Sequence, residues 1–238
     1  SLQISFKALV WGMLSALSVV FYTVQPEKLL KKYIKDKLNF SDEDYNNCFY
    51  PLEKLNAYAF QNEPYLRNVD LKEVKLNDIS INKIVYEENE FCFTNVYSQD
   101  ENLLRKYSIG VFDGMVNTYG MYENDKLIDI VNPIEINIRA KALRSVDKNL
   151  LVVGLGLGYF PYMASLTENV EKITIIEENE DIIQIFKENI LPFFENKEKI
   201  KIINAKFSDY QQFVNKNNHV VFEILDNSEI GLELYKNL

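Results

Sequence analysis

Histidine and cysteine are almost missing from this 238-residue chain: His219 is the one histidine, and Cys48 and Cys92 are the two cysteines. So few ligands at such wide spacing exclude a zinc site, and they exclude Ser-His and Cys-His nucleophile pairs as well. No metal is expected. Two distant cysteines make no disulfide framework, which suits a reducing compartment, and the expected location is the cytoplasm. Basic residues are also in short supply, with 26 Lys and Arg against 35 Asp and Glu and a net charge of −9. Phosphate backbones are bound by Lys and Arg clusters, so a nucleic-acid partner is not expected; a small-molecule or cationic substrate fits the charge better. No internal repeat or low-complexity linker divides the chain.

Glycine is scarce too, at eight residues, yet Gly154, Gly156 and Gly158 stand within five positions of one another. They follow Leu150-Leu151-Val152-Val153, an apolar run of the kind that forms a buried parallel strand. A strand that ends in alternating glycines must turn tightly and let a ligand approach its backbone. The spacing is G-x-G-x-G. A dinucleotide fingerprint needs a third glycine where Tyr159 stands, and a phosphate-cradling loop needs a following Lys-Ser or Lys-Thr that is absent. The run marks either a tight strand-to-helix turn or a ligand site, and the ligand expected there is an adenosyl cofactor.

Downstream residues extend the pattern. Pro161 suits the first turn of a helix running to about Leu166, and Lys172-Ile173-Thr174-Ile175-Ile176 reads as a second buried strand ending at Glu177. Glu177 lies nineteen residues after Gly158, near the interval at which α/β nucleotide folds place the acid that takes ribose hydroxyls. Asn179, Glu180 and Asp181 then cap a helix whose apolar face carries Ile182, Ile183, Phe186 and Ile190.

Together these residues resemble the class I S-adenosylmethionine-dependent methyltransferases, in particular the spermidine-synthase-like branch, over roughly Asn132 to the C-terminus. The resemblance implies a parallel sheet with Gly154, Gly156 and Gly158 beside the methionine and ribose of S-adenosylmethionine, and Glu177 on the ribose hydroxyls. Two landmarks of the family are altered. Where an acid should follow the third strand, Ile200-Lys201-Ile202-Ile203, the chain has Asn204-Ala205-Lys206-Phe207, and a lysine cannot accept a hydrogen bond from adenine. Asp209 is the substitute acceptor, and Phe207 is either an adenine-stacking side chain or ordinary core. Where an Asp should end the fourth strand, Val220-Val221-Phe222 leads to Glu223, with Asp226 beyond it. The spermidine synthases' own Asp within the glycine turn is replaced by Leu157, and their His-Glu pair is not evident around Leu127-Ile128-Asp129-Ile130, which counts against aminopropyl transfer. After the fourth strand only Asn227 to Leu238 remain, so the expectation is that either the chain is truncated or N-terminal strands or a second subunit cover that edge.

The N-terminal half differs in character. Ala8 to Val24 is uncharged, at the short limit for a membrane span, and carries Gly12, Ser15, Ser18 and Tyr22 at helical spacing. Such a stripe suits close packing in a soluble core or dimer, which is favoured here, or between membrane helices. Glu27 to about Lys37 predicts an amphipathic helix with Leu30, Tyr33, Ile34 and Leu38 on its apolar side, and Ser41 with Asp44 predicts a capped start to the next. Pro51 to Phe60 is expected to continue as helix. Strands are expected at Ile79 to Glu87, Phe91 to Tyr97, Tyr107 to Phe112 and Val116 to Tyr122. Asn132-Pro133-Ile134-Glu135 predicts a further helix start. The resemblance implies that this helix can line the cofactor cleft, which makes Glu135 and Arg139 site candidates, with capping the stronger role for Glu135.

The expected fold is α/β: a Rossmann-like methyltransferase sheet over residues 132–238, preceded by a helical segment (1–64) and a small antiparallel β-region (65–131). The expected function is S-adenosylmethionine-dependent methyl transfer to a small molecule by a homodimer. Glu223 and Asp226 are the catalytic candidates, and Gly154, Gly156, Gly158, Glu177, Phe207 and Asp209 the cofactor-binding ones. The alternatives are a module that kept the fold without catalysis, and an aminopropyltransferase acting on a polyamine.

Overall fold

A computed structural model describes residues 26–98 and 105–223. In chain order it contains α1 (Pro26–Leu38), α2 (Asp42–Cys48), β1 (Glu53–Leu55), α3 (Ala57–Gln61), α4 (Pro64–Asn68), β2 (Val74–Leu76) and β3 (Ile79–Tyr86). There follow β4 (Phe91–Ser98), β5 (Arg105–Phe112), β6 (Val116–Glu123), β7 (Lys126–Ile130) and α5 (Pro133–Leu143). The last part comprises β8 (Lys148–Val153), α6 (Tyr159–Ser165), β9 (Val170–Glu177), α7 (Glu180–Asn189), β10 (Ile200–Asn204), α8 (Gln211–Val214) and β11 (His219–Phe222). The expected stripe at Ala8 to Val24 and the candidate Asp226 lie outside the described residues.

Two compact units share these elements. The first gathers the described residues up to Gln61 with Val85–Asn117 and Pro133–Asn137. Its sheet has the order β1-β5-β4, β4 antiparallel and β1 parallel to β5. The apolar stripe of α1 works as its spacing predicts: Leu30 and Ile34 are buried with Tyr45, Phe49, Phe91, Phe93, Tyr107, Ile109 and Val111, and Tyr33 and Leu38 pack alongside. Ser41 closes a reciprocal capping box, its hydroxyl accepting from the Asp44 amide while the Asp44 carboxylate accepts from the Ser41 amide. The helix expected over Pro51 to Phe60 is corrected. Glu53–Leu55 is instead a strand paired with Gly110–Phe112, and helix begins only at Ala57. The side chain of Leu55 fills the room that Gly110 leaves by having no Cβ, so pairing in the sheet outweighs local helix propensity.

The second unit holds Asn62–Ile84, Thr118–Asn132 and the described residues from Ile138 onward. One of its sheets has the order β2-β3-β6-β7, with the β2–β3 and β6–β7 pairs antiparallel. The other is the α/β sheet expected from the sequence, four parallel strands in the order β10-β9-β8-β11. Order reverses between β9 and β11 on either side of the first strand, β8, the switch point at which open α/β sheets bind ligands beyond their carboxyl ends. Leu150, Leu151, Val152 and Val153 of β8 are buried, as a strand covered on both faces requires. Among the described residues no helix is long and apolar enough to cross a membrane.

Candidate functional site

The glycine turn lies where β8 ends, at that switch point. Gly154, Gly156 and Gly158 all have positive φ, at 96°, 49° and 75°. Two of them are also constrained by what they touch. A Cβ on Gly156 would fall on the Asp129 carboxylate, and one on Gly158 would fall on the ring of Phe186, which packs α7 against the start of α6. The turn is therefore built for glycine by backbone conformation and by close approach together.

Two buried carboxylates hold the turn from either side of Gly156. Glu177, 3% exposed at the end of β9, accepts the Leu155 amide through Oε2 at 3.0 Å and the Asn179 amide through Oε1 at 2.9 Å. Asp129, 4% exposed near the end of β7, accepts the Leu157 amide through Oδ2 at 2.7 Å. Its Oδ1 accepts from its neighbour's amide, Ile130, at 2.8 Å and from Arg139 Nη2 at 2.7 Å. Both oxygens of each carboxylate thus face donors, an arrangement that a carboxamide of the same shape cannot satisfy. Burial pushes Glu177 above the ordinary carboxylate range, and the amides of Asn179 and Leu155 pull it partly back.

Arg139 extends the network. Its Nε donates to Glu223 Oε2 at 2.7 Å and its Nη1 to the Ile130 carbonyl at 3.3 Å, and its guanidinium carbon lies 5.7 Å from the centre of the Tyr159 ring. Tyr159 in turn donates to Glu63 Oε1 at 2.9 Å, and Tyr65 donates its hydroxyl proton to the Leu157 carbonyl. Glu63 caps α4 by accepting from the Tyr65 and Leu66 amides; burial raises it above the ordinary carboxylate range.

The structure brings Gly154, Gly156, Gly158 and Glu177 together, and joins Glu223 to the turn through Arg139 and Asp129. Asn179 caps α7 through Oδ1, accepting the Asp181 and Ile182 amides. Phe207 packs with Leu151, Val153, Ile176 and Tyr210, its amide donating to Glu178 Oε2 at 3.2 Å. Asp209 sits half-buried in the short turn Phe207–Asp209, and the side chain of Lys206 is exposed. Glu135 belongs to the first unit, in the first turn of α5. Sequence reasoning missed Asp129. Its one signal is an acid in the otherwise apolar run Leu127-Ile128-Asp129-Ile130-Val131, on a strand that reads as buried. The turn carries no acid of its own, and a carboxylate reaches the Leu157 amide from β7.

No family model matches the chain, and no curated protein matches it in sequence. Among solved structures it is similar to spermidine synthase from Thermotoga maritima, at 12% identity and a TM-score of 0.39. It is similar also to spermidine synthase in complex with the transition-state analogue AdoDATO, at 12% identity and a TM-score of 0.37. Each match takes in 66% of this chain and 47% of the other, so the chain spans about half the length of the structures it matches. The α/β assignment rests on the strand order and direction described above.

Proposed function

We propose that the second unit binds S-adenosylmethionine at the glycine turn and that the protein transfers its methyl group to a small molecule. The observation that carries this reading is Glu177, a buried carboxylate fixed at the end of β9 and tied to the turn through the Leu155 amide. Its two amide bonds use part of the roughly four acceptor positions of a carboxylate, leaving capacity for ribose hydroxyls. The donor set suits an adenosyl sulfonium better than a pyrophosphate, because the amides of Leu155 and Leu157 already face carboxylates.

When bound, the cofactor supplies an electrophilic methyl group. The chain's task is then chiefly alignment of the acceptor, which needs little acid-base machinery. Glu223 or Asp226 is the candidate to orient an acceptor or take its proton.

A calorimetric titration with S-adenosylmethionine and S-adenosylhomocysteine tests the reading. The expected outcome is binding by wild type that Glu177→Ala weakens by about tenfold or more, equivalent to about 1.4 kcal/mol. Absence of binding by wild type overturns it. A second reading, a module that binds the nucleotide without catalysis, is favoured by the engagement of Glu223 with Arg139 and by the exposed Lys206 in place of an acid. Retained binding with no turnover across a panel of amine, hydroxyl and thiol acceptors selects that reading.

A further inference from the structure

We propose that Arg139 and Asp129 are positioning residues that couple Glu223 to the glycine turn, so that a ligand engaging Glu223 changes how the turn holds its own ligand. The roles of the two ligands rest on the cofactor reading above; the coupling itself rests on geometry. Three hydrogen bonds of 2.7 Å each run unbroken from Glu223 Oε2 to Arg139 Nε, from Arg139 Nη2 to Asp129 Oδ1, and from Asp129 Oδ2 to the Leu157 amide. The side chains of Asp129, Arg139 and Glu223 are 5%, 4% and 10% exposed, so water does not screen the charges or replace a lost partner.

Each joint transmits displacement for a specific reason. The guanidinium is a rigid plane, and a pull on its Nε edge toward Glu223 must move the Nη2 that holds Asp129. Asp129 has no slack, because its two oxygens receive the Ile130 amide, Arg139 and the Leu157 amide at once. Leu157 lies between Gly156 and Gly158, both in the left-handed region, where the backbone has the freedom to respond. A second path runs from the same guanidinium to the ring of Tyr159, the residue that follows Gly158.

The test is a double-mutant cycle on the full chain with Asp129→Asn and Glu223→Gln, read by amide hydrogen exchange at Leu157 without ligand and by affinity for S-adenosylhomocysteine. Asp129→Asn is expected to speed exchange at Leu157 by about tenfold or more, and Glu223→Gln by about threefold although Glu223 does not touch that amide. The double variant should exchange no faster than Asp129→Asn alone, because the wire is already cut. Arg139→Lys, which keeps the charge but loses the fork, should reproduce the loss of coupling and serves if Asp129→Asn does not fold. An unchanged Leu157 exchange rate in Glu223→Gln, or single effects that multiply in the double variant, overturns the coupling. If wild type fails to bind S-adenosylhomocysteine, the cofactor reading falls while the exchange cycle still decides the coupling. If wild type binds and the cycle multiplies, the coupling falls and the cofactor reading stands.

Discussion

Replacing Gly156 with alanine tests the glycine turn most directly. At φ 49° the backbone is left-handed, which costs an L-residue about 1–2 kcal/mol. The added methyl group would also fall on the Asp129 carboxylate. To clear it, Asp129 must retreat from the Leu157 amide and give up a charge-assisted hydrogen bond worth about 1.5–3 kcal/mol. The two losses together predict destabilisation of the second unit by about 2.5–5 kcal/mol. Urea titration followed by hydrogen exchange in peptides from β8 and β9 reads this unit separately from the first. Gly114→Ala is the control. Its added Cβ lies 3.5 Å from the Ala57 side chain, an ordinary contact, and its effect should stay within about 0.5 kcal/mol. A loss below about 1 kcal/mol in Gly156→Ala would refute the claim that Asp129 fills the space beside this glycine.

Buried Glu177 and half-buried Glu63 should respond differently to amidation. Glu177→Gln turns an NH2 group toward either the Leu155 or the Asn179 amide and should destabilise by about 1–3 kcal/mol in urea titration, whereas Glu63→Gln can present NH2 to the Tyr159 oxygen and keep its capping oxygen, so it should be nearly neutral near pH 4. Burial raises the folded-state pKa of Glu63, so its share of stability is present below the ordinary carboxylate pKa and is lost as pH rises through the raised value. Glu63→Gln should therefore gain stability relative to wild type on going from pH 4 upward through that window, and a constant difference across it would contradict the assignment. Cys92 is buried and its thiol is pushed up to about 12, so at pH 8 a disulfide reagent should label half-buried Cys48 first and reach Cys92 only on unfolding. Rapid labelling of both thiols in the native protein would contradict this packing.

Local pattern was enough to find the elements that build the parallel sheet. The buried run of β8, the acid ending β9 and the Asn179 cap each announce themselves within a few residues, because burial on both faces, an acid closing an apolar run and a helix start have short-range signatures. The strand edges from Ile79 to Glu123 were likewise legible to within about two residues, the usual uncertainty at element ends. Segment Pro51 to Phe60 was not, since its strand exists through pairing with β5, whose Gly110 makes room for Leu55. Nor was the carboxylate on the Leu157 amide. Asp129 reaches the turn from near the end of β7, a strand paired with β6, and Arg139 meets it from the later turns of α5. Where the chain turns and which acid ends the second parallel strand can be read from the residues alone, since those are matters of backbone conformation and periodicity. Which carboxylates hold that turn is a property of the folded chain, because hydrogen-bond partners of residues 28 positions apart depend on strand pairing and burial that no local window contains.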